Sequence, residues 1–158
     1  MRSGVGYDVH AFAVGRILVL GGVQIEHDKG LAGHSDGDAL IHAIMDSILG
    51  AAGLGDIGML FPSDAPLLEG IASTTLLKKV KEKVESAGYE TIFVDATIIA
   101  QNPRMTPYIS SMKRTLSRII GIDSESINIK ATTTDGLGFV GREEGIGCLA
   151  ISTLKKLK

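Results

Sequence analysis

Apolar and polar residues alternate along this chain with two different periods, and each period predicts one type of element. In residues 5–10, apolar Val5, Tyr7 and Val9 alternate with Gly6, Asp8 and His10, which is the period of two of a β-strand. The same alternation predicts a strand at 91–100. Apolar runs predict strands at 127–133 and at 146–154, although a helix fits the last run nearly as well. Residues 17–20 and 23–25 flank Gly21 and Gly22 and predict a hairpin.

Three segments have apolar residues three and four positions apart, as in amphipathic helices. The first is capped by Ser35 or Asp36 and runs to about Ala52, the second is capped by Ser73 and ends at Gly88, and the third follows Thr106-Pro107 and ends at Gly121. Residues 55–70 contain two prolines and are long for a connection, so we expect a mobile functional flap there.

Strands interleaved with helices, without regular βαβ spacing, predict an α+β fold with one mixed sheet layered against helices. We expect residues 1–158 to form a single catalytic domain. No apolar run approaches the ~20 residues of a membrane span, and the amino terminus resembles no signal peptide, so we expect a cytoplasmic protein without a membrane partner. The net charge of −2 argues against nucleic-acid binding.

Asp8, His10 and His42 are the candidate metal ligands. Asp8 and His10 share one face of their strand, about 7 Å apart at the backbone, and His42 on the first predicted helix completes a set of three. Three protein ligands with an open position are typical of catalytic zinc. By itself, the Asp-x-His pair is more simply a satisfied polar pair on a strand.

The four-residue spacing of His34, Asp38, His42 and Asp46 places them on one helix face if the helix begins early. For Asp38 and Asp46 the simpler interpretation is a solvated helix surface. For His34, which lies in a turn, catalysis and an ordinary turn residue are equally plausible.

Two further segments have the composition of nucleotide-binding loops. In residues 131–142, a strand end presents Thr132, Thr133 and Thr134, then Asp135 and three glycines. Hydroxyls and exposed amides suit phosphate oxygens, and Asp135 suits a second hard cation. Residues 100–106 precede a helix, where amides bind an anion or a base edge. Strand-favouring threonines and turn-favouring glycines explain the same patterns without a ligand.

Six ordered motifs together closely resemble those of the 2-C-methyl-D-erythritol 2,4-cyclodiphosphate synthase family. They are Gly6-Tyr7-Asp8-Val9-His10, the segment from Ala32 to Asp38, Gly55-Asp56-Ile57-Gly58, Leu60-Phe61-Pro62, Ile99-Ala100-Gln101 and Lys130 to Thr134. The resemblance implies an enzyme of the non-mevalonate route to isoprenoids. Such an enzyme converts 4-diphosphocytidyl-2-C-methyl-D-erythritol 2-phosphate to the cyclic diphosphate and CMP, by attack of the 2-phosphate on the β-phosphate.

The resemblance also implies roles for individual residues. Asp8, His10 and His42 match zinc ligands, and Asp135 takes the place of the carboxylate, more often glutamate, that holds Mg²⁺ or Mn²⁺ between the α- and β-phosphates. His34 and Thr133 match catalytic positions that steady the phosphates. The implied substrate-binding residues are Ser35, Asp56, Ile57, Gly58, Phe61, Pro62, Ser63, Asp64 and Ala65 around the diol; Ala100, Gln101, Asn102, Pro103, Arg104, Met105 and Thr106 around the cytidine; and Thr132 and Thr134 near the phosphates.

The resemblance further implies a ferredoxin-like or chorismate-mutase-like arrangement and a homotrimer, with the sheets facing the centre and active sites between subunits. It also implies a central cavity where an isoprenoid diphosphate binds near Phe139 and Arg142. Two other functions use parts of the same residue set. A metal-dependent phosphohydrolase would have water as the nucleophile, and a non-catalytic sensor would keep only the binding loops.

Overall fold

The computed structural model describes residues 1–158 and contains seven strands. They are β1 (Arg2–Val14), β2 (Leu18–Leu20), β3 (Val23–Ile25), β4 (Lys29–Leu31), β5 (Tyr89–Ile99), β6 (Ile127–Thr132) and β7 (Gly145–Lys156). Five of them form a mixed sheet in the order β4-β1-β7-β5-β6, in which only β5 and β6 are parallel. The fold is therefore α+β with a mixed sheet, as the alternation predicts.

Five helices accompany the strands: α1 (Ala39–Ala52), α2 (Ile57–Leu60), α3 (Ser73–Ser86), α4 (Ile109–Ile120) and α5 (Gly138–Gly141). Short 3₁₀ turns lie at Pro66–Leu68, Thr106–Tyr108 and Ser124–Ser126. The segment containing α4 connects the parallel strands β5 and β6, because parallel neighbours need a crossover. No helix has both the length and the apolar character needed to cross a membrane.

Helix α1 lies unusually close to β1, and two glycines make this approach possible. A Cβ atom on Gly4 would lie 2.3 Å from the backbone nitrogen of Ala51, and one on Gly6 would lie 2.0 Å from the carbonyl oxygen of Ala43. These are backbone atoms of a helix, so they cannot rotate away as a side chain can. Because strand residues alternate between faces, Asp8 and His10 lie on the same side as Gly4 and Gly6 and point toward α1.

The opposite face of the sheet is not covered by any helix of this chain and is largely apolar. Val5 and Tyr7 are 64% and 56% exposed, and Ile151 on β7 is 46% exposed. The register places Val5 beside Ile151 and Tyr7 beside Leu149. The sheet therefore separates a packed face, which holds the core and the candidate metal ligands, from an open apolar face.

Several predicted boundaries are corrected by the structure. Helix α1 is capped by Asp38, not by Ser35 or Asp36, because Gly37 has a positive φ of 76° that interrupts helical geometry just before it. Ser73 is the first residue of α3 and not its cap. The cap position is Ala72, whose methyl side chain cannot accept a hydrogen bond, and the Ser73 hydroxyl donates to Asp36.

Other corrections concern elements that are too short for periodicity to detect. Residues 55–70 contain α2 and a 3₁₀ turn, and the segment before β7 contains α5. The predicted hairpin is present, but β2 and β3 form a separate two-stranded sheet, so the fold contains two sheets where a single one was expected. A strand of three residues, β4, was not predicted.

Candidate active site

Asp8, His10 and His42 place three ligand atoms in a small triangle between β1 and α1. His10 Nε2 lies 2.7 Å from Asp8 Oδ2, and His42 Nδ1 lies 3.1 Å from both of those atoms. These are the residues whose ligand atoms converge as a potential metal site. The predicted ligand set is thus brought together, with Asp8 and His10 contributed by one strand and His42 by the helix packed on it.

The size and chemistry of this triangle fit a zinc ion. Zinc binds imidazole nitrogen and carboxylate oxygen at ~2.0–2.2 Å in tetrahedral geometry, so two ligand atoms in such a site lie about 3.3 Å apart. The three separations of 2.7–3.1 Å are close to this value. Two imidazoles and one carboxylate leave a fourth position free, as in catalytic zinc sites.

The orientation of His10 is set by its second ring nitrogen. Nδ1 contacts the carbonyl oxygen of Ala32, and a carbonyl only accepts, so Nδ1 holds a proton. Nε2 faces Asp8 and His42, where it donates to the Asp8 carboxylate in the protonated ring and has a lone pair for a metal in the neutral ring. A Cβ on Gly33 would lie 3.2 Å from two atoms of this ring. The glycine therefore gives the imidazole room to lie flat against the loop.

The electrostatics of the site favour a charged Asp8. Burial raises the pKa of Asp8, but hydrogen bonds from His10 and His42 outweigh burial and hold that pKa at about 2. Burial lowers the pKa of His10, whereas the hydrogen bond and charge of Asp8 raise it above the ordinary 6.5. The carboxylate is therefore ionised at neutral pH and available to a cation.

The far side of His42 contacts two serines. His42 Nε2 lies 3.1 Å from Ser35 Oγ and 3.1 Å from Ser73 Oγ. The Ser73 hydroxyl donates to Asp36 Oδ1, and the Ser73 backbone N–H donates to Asp36 Oδ2 at 3.0 Å. The sequence suggested Ser73 and Asp36 only as helix caps, because no spacing rule connects two loops that meet in space.

Arg16 is a further residue whose role the sequence patterns did not identify. Its guanidinium donates to the Gly33 carbonyl at 2.9 Å and to the Ser35 carbonyl at 2.6 Å. These carbonyls flank His34, whose imidazole is exposed and contacts the Ala65 carbonyl at 3.1 Å. Arg16 therefore holds the loop that presents His34 beside the flap.

A cavity of about 600 Å³ opens beside the metal ligands. It contains most residues predicted for the metal and the diol, namely His10, His34, Ser35, His42, Ile57, Gly58, Phe61, Pro62, Ser63 and Asp64. Leu68, Ile71 and Leu76 complete its wall and were not predicted. Asp56 does not line it and instead caps α2 by accepting from the Met59 N–H. Ala65 contributes through its carbonyl contact with His34.

A second cavity, of about 320 Å³, contains the predicted cytidine residues. It is lined by Ala100, Gln101, Asn102, Pro103, Arg104, Met105, Thr106, Ala131, Thr132 and Thr133. Thr133 and Asp135 are linked at its edge, where Thr133 Oγ1 lies 3.3 Å from Asp135 Oδ1, and Thr134 donates to the Leu137 carbonyl. Asp135 has a positive φ of 52° in this turn and lies outside the three-residue ligand cluster.

The two cavities lie at the same end of the sheet but share no residue. His10 pairs with Ile146, and Ile99 pairs with the adjacent Gly147, so His10 on β1 is level with the end of β5 across β7. Three strand spacings of ~4.8 Å separate β1 from β6. Phe139 and Arg142 line neither cavity; Phe139 is 36% exposed, and Arg142 pairs with Glu144 at 2.9 Å.

The early helix start that would place His34 on one face with Asp38, His42 and Asp46 is not found, because α1 begins at Ala39 with Asp38 as its cap. Asp38 is fully buried and accepts from the N–H groups of Gly21, Gly22 and Ile41. Burial raises the pKa of Asp38 to about 6. Asp46 is half-buried and accepts from the Ile57 N–H at 2.8 Å. These carboxylates anchor the hairpin and α2 to α1 and are not a solvated surface.

The fold and the site together define a small α+β enzyme with a candidate divalent-metal centre beside one cavity and a loop-lined second cavity. The YgbB family matches residues 1–155, and the chain belongs to this family. The chain is 53% identical to the 2-C-methyl-D-erythritol 2,4-cyclodiphosphate synthase of Desulforamulus reducens and 55% identical to that of Clostridium acetobutylicum. These alignments cover 99% and 98% of this chain and 99% of each relative.

Solved structures agree with this assignment. The bifunctional IspDF of Campylobacter jejuni superposes with a TM-score of 0.96 at 43% identity; the match covers 99% of this chain, which spans 42% of that longer protein. The CDP complex of IspF from Plasmodium falciparum has a TM-score of 0.86 at 34% identity, covering 99% of this chain and 97% of the other. The predicted family and the α+β fold with a mixed sheet are thereby confirmed.

Proposed function

We propose that this chain converts 4-diphosphocytidyl-2-C-methyl-D-erythritol 2-phosphate to 2-C-methyl-D-erythritol 2,4-cyclodiphosphate and CMP, as a single catalytic domain acting in the cytoplasm. The observation that supports this most is the convergence of Asp8, His10 and His42 beside a cavity that also contains His34 and the Phe61–Asp64 stretch. The relatives at 53% and 55% identity are named as this synthase, and the alignments cover nearly their whole length.

Asp8, His10 and His42 would hold Zn²⁺, which neutralises charge on the reacting phosphates when bound. Thr133 and Asp135 offer hard oxygen donors at the edge of the second cavity, which suits Mg²⁺ or Mn²⁺ between the α- and β-phosphates. His34 and Ser35, which line the same cavity as His10 and His42, would donate hydrogen bonds to phosphate oxygens.

Positioning dominates this kind of reaction, because phosphoryl transfer needs alignment and charge neutralisation more than covalent help from the protein. The substrate's own 2-phosphate is the nucleophile, so the residues around it have to exclude competing water. Phe61, Pro62 and Leu68 supply apolar wall to the metal-side cavity for that purpose. No side chain has to remove a proton from the attacking phosphate.

The enzyme is further proposed to act as a homotrimer with its sheets facing the centre and its active sites between subunits. Two observations support this. The open sheet face exposes Val5, Tyr7 and Ile151, and a contiguous apolar face of this kind is typical of an interface. The metal-side and cytidine-side cavities are also separate within one chain, so one substrate reaches both sets of residues if neighbouring copies contribute one each. A central cavity near Phe139 and Arg142 would then accept an isoprenoid diphosphate.

Phosphorus NMR of the products tests the reaction. Purified protein is incubated with the substrate and Mg²⁺, with and without a zinc chelator. The proposal predicts cyclic diphosphate and CMP, lost on chelation and restored by zinc. A linear phosphate product would indicate a phosphohydrolase, and no turnover by folded, metal-replete protein would refute the proposed activity.

Light scattering tests the assembly. Ile151→Glu places a charge on the open sheet face and should yield monomers that bind zinc but do not turn over. Val14→Glu is the matched control, because Val14 is an 82% exposed apolar residue at the end of β1. A trimeric, active Ile151→Glu protein would contradict the proposed arrangement.

A further inference from the structure

Ser73 and Asp36 lie behind the metal ligands, outside the residues that the reaction uses. Asp36 lies in the loop before α1 and Ser73 begins α3, 31 residues from His42 in sequence, yet Ser73 Oγ is 3.1 Å from His42 Nε2. Ser73 is fully buried, and its hydroxyl has a carboxylate oxygen of Asp36 as its second partner. We propose that Ser73 and Asp36 act as positioning residues that fix the tautomer and ring orientation of His42 for metal binding.

The assignment of protons in this chain of contacts has one solution. Asp36 Oδ1 also accepts from the Asp38 N–H at 3.2 Å, and Oδ2 accepts from the Ser73 N–H. The carboxylate is thus the acceptor in every contact, and the Ser73 hydroxyl donates its only hydrogen to this carboxylate. The Ser73 oxygen can then only accept from His42, so Nε2 holds the imidazole proton.

In the neutral ring, this proton position leaves the lone pair of His42 on Nδ1, the atom that faces Asp8 and His10. A metal ion then takes the place of the proton that Nδ1 shares with the Asp8 carboxylate in the metal-free protein. A metal-bound imidazole needs its free lone pair on the ligating nitrogen, and its other nitrogen is usually anchored by a carboxylate or carbonyl. Here a serine hydroxyl stands between the imidazole and the carboxylate. His10 is held in the same way by the Ala32 carbonyl, so each imidazole is oriented by a hydrogen bond from the nitrogen that faces away from the metal site.

Ser35 does not determine the tautomer in the same way. Its hydroxyl is also 3.1 Å from His42 Nε2, and its other contact is a 3.4 Å bond received from the Gly37 N–H. Its hydrogen is not committed to an acceptor, so Ser35 is able either to donate to Nε2 or to accept from it. Removing Ser73 therefore frees His42 to adopt the other tautomer, with Nδ1 protonated and unable to bind a metal.

This inference deepens the proposed zinc site and rests on it, so the test measures zinc binding directly. The Zn²⁺ dissociation constant of the full-length protein is determined by competition with a chromophoric chelator. Ser73→Ala and Asp36→Asn should each weaken zinc binding about 10- to 100-fold, the usual effect of losing such a partner. The Ser73→Ala protein should regain turnover at saturating zinc, whereas a protein whose site had collapsed would stay inactive.

A matched control and a double variant separate positioning from a general loss of packing. Ser47→Ala removes a different fully buried hydroxyl, on α1, whose partners are the Ile44 carbonyl and the Ser152 hydroxyl and not a metal ligand, and it should leave the zinc affinity within about twofold. Because Asp36 acts through Ser73, adding Asp36→Asn to Ser73→Ala should weaken binding little further.

The outcomes are distinguishable. Unchanged zinc affinity in folded Ser73→Ala, with tight binding by the unsubstituted protein, overturns this inference and leaves the zinc site intact. If Asp36→Asn weakens zinc binding equally with and without the Ser73 hydroxyl, Asp36 does not act through Ser73. A metal-free protein that fails to bind zinc at all overturns the proposed metal site together with this inference.

Discussion

Gly6→Ala should damage both the stability and the metal site, because Gly6 lies where β1 touches α1. The added Cβ would lie 2.0 Å from the Ala43 carbonyl oxygen and 2.6 Å from the Ser47 backbone nitrogen. Ordinary contacts between heavy atoms are about 3.5 Å or more, so strand and helix must separate by roughly 1.5 Å. Overpacking of this kind costs ~1–3 kcal/mol, and we expect the upper end because helix backbone cannot rotate away.

The separation should also reach the metal ligands. Asp8 is two residues from Gly6 on the same strand face, and His42 precedes Ala43 on α1, so moving the two elements apart widens the 3.1 Å gap between Asp8 Oδ2 and His42 Nδ1. Zinc affinity should fall together with stability. A disrupted strand–helix contact elsewhere in the chain would lower the stability without lowering the zinc affinity.

Gly50→Ala is the matched control, since Gly50 lies within α1 and the nearest atom to its added Cβ is the Val5 carbonyl oxygen at 3.8 Å. Replacing a helical glycine by alanine should stabilise the protein by up to about 1 kcal/mol. Thermal unfolding at equal protein concentration should lower the Gly6→Ala midpoint by roughly 6–12 °C, at ~2–4 °C per kcal/mol. Gly6→Ala stability within about 1 kcal/mol of the unsubstituted protein would refute the steric reasoning.

Three further changes test the ligands and their supports. His42→Ala should abolish turnover and tight zinc binding while the protein remains folded; retained turnover would refute the metal assignment. In metal-free protein, Asp8→Asn should lower the unfolding free energy by about 2 kcal/mol between about pH 4 and 6.5. The contribution of Asp8 is present above its ordinary pKa of 3.8 and lost toward its folded value of about 2, whereas that of His10 is lost as pH rises through its raised pKa. A loss independent of pH in denaturant titrations would argue against the ion pair. Asp38→Ala should cost about 3 kcal/mol, because three N–H groups lose their acceptor, whereas Asp56→Ala, at an exposed cap, should cost only about 1 kcal/mol; equal losses would contradict the role of burial.

Local patterns predicted the elements around the site well where an element was long enough to show its period. The alternation in β1 correctly placed Asp8 and His10 on one face, and the apolar stripe of α1 correctly brought His42 toward the core. The start of α1 was wrong because Ser35, Asp36 and Asp38 are all good cap residues, and the choice depends on the backbone conformation of Gly37. Elements of three or four residues, such as β4, α2 and α5, are too short to display a period.

The separation of the two cavities was not predictable from motif order. Residues 100–106 and 131–135 meet because β5 and β6 are parallel neighbours whose ends lie together. Their distance from the metal ligands depends on β7 and β5 lying between β1 and β6. Strand order is a property of long-range pairing, which no local spacing records.

The sequence by itself determined which residue types were available for chemistry and which faces of long elements they occupy, because those properties follow from side-chain identity and the periods of strand and helix. The tertiary structure alone decided that Ser73 and Asp36 stand behind His42 and that Arg16 holds the His34 loop. These contacts join residues 17 to 37 positions apart through hydrogen bonds. Such distances are set only when the close approach of α1 to Gly4 and Gly6 has fixed how the elements pack.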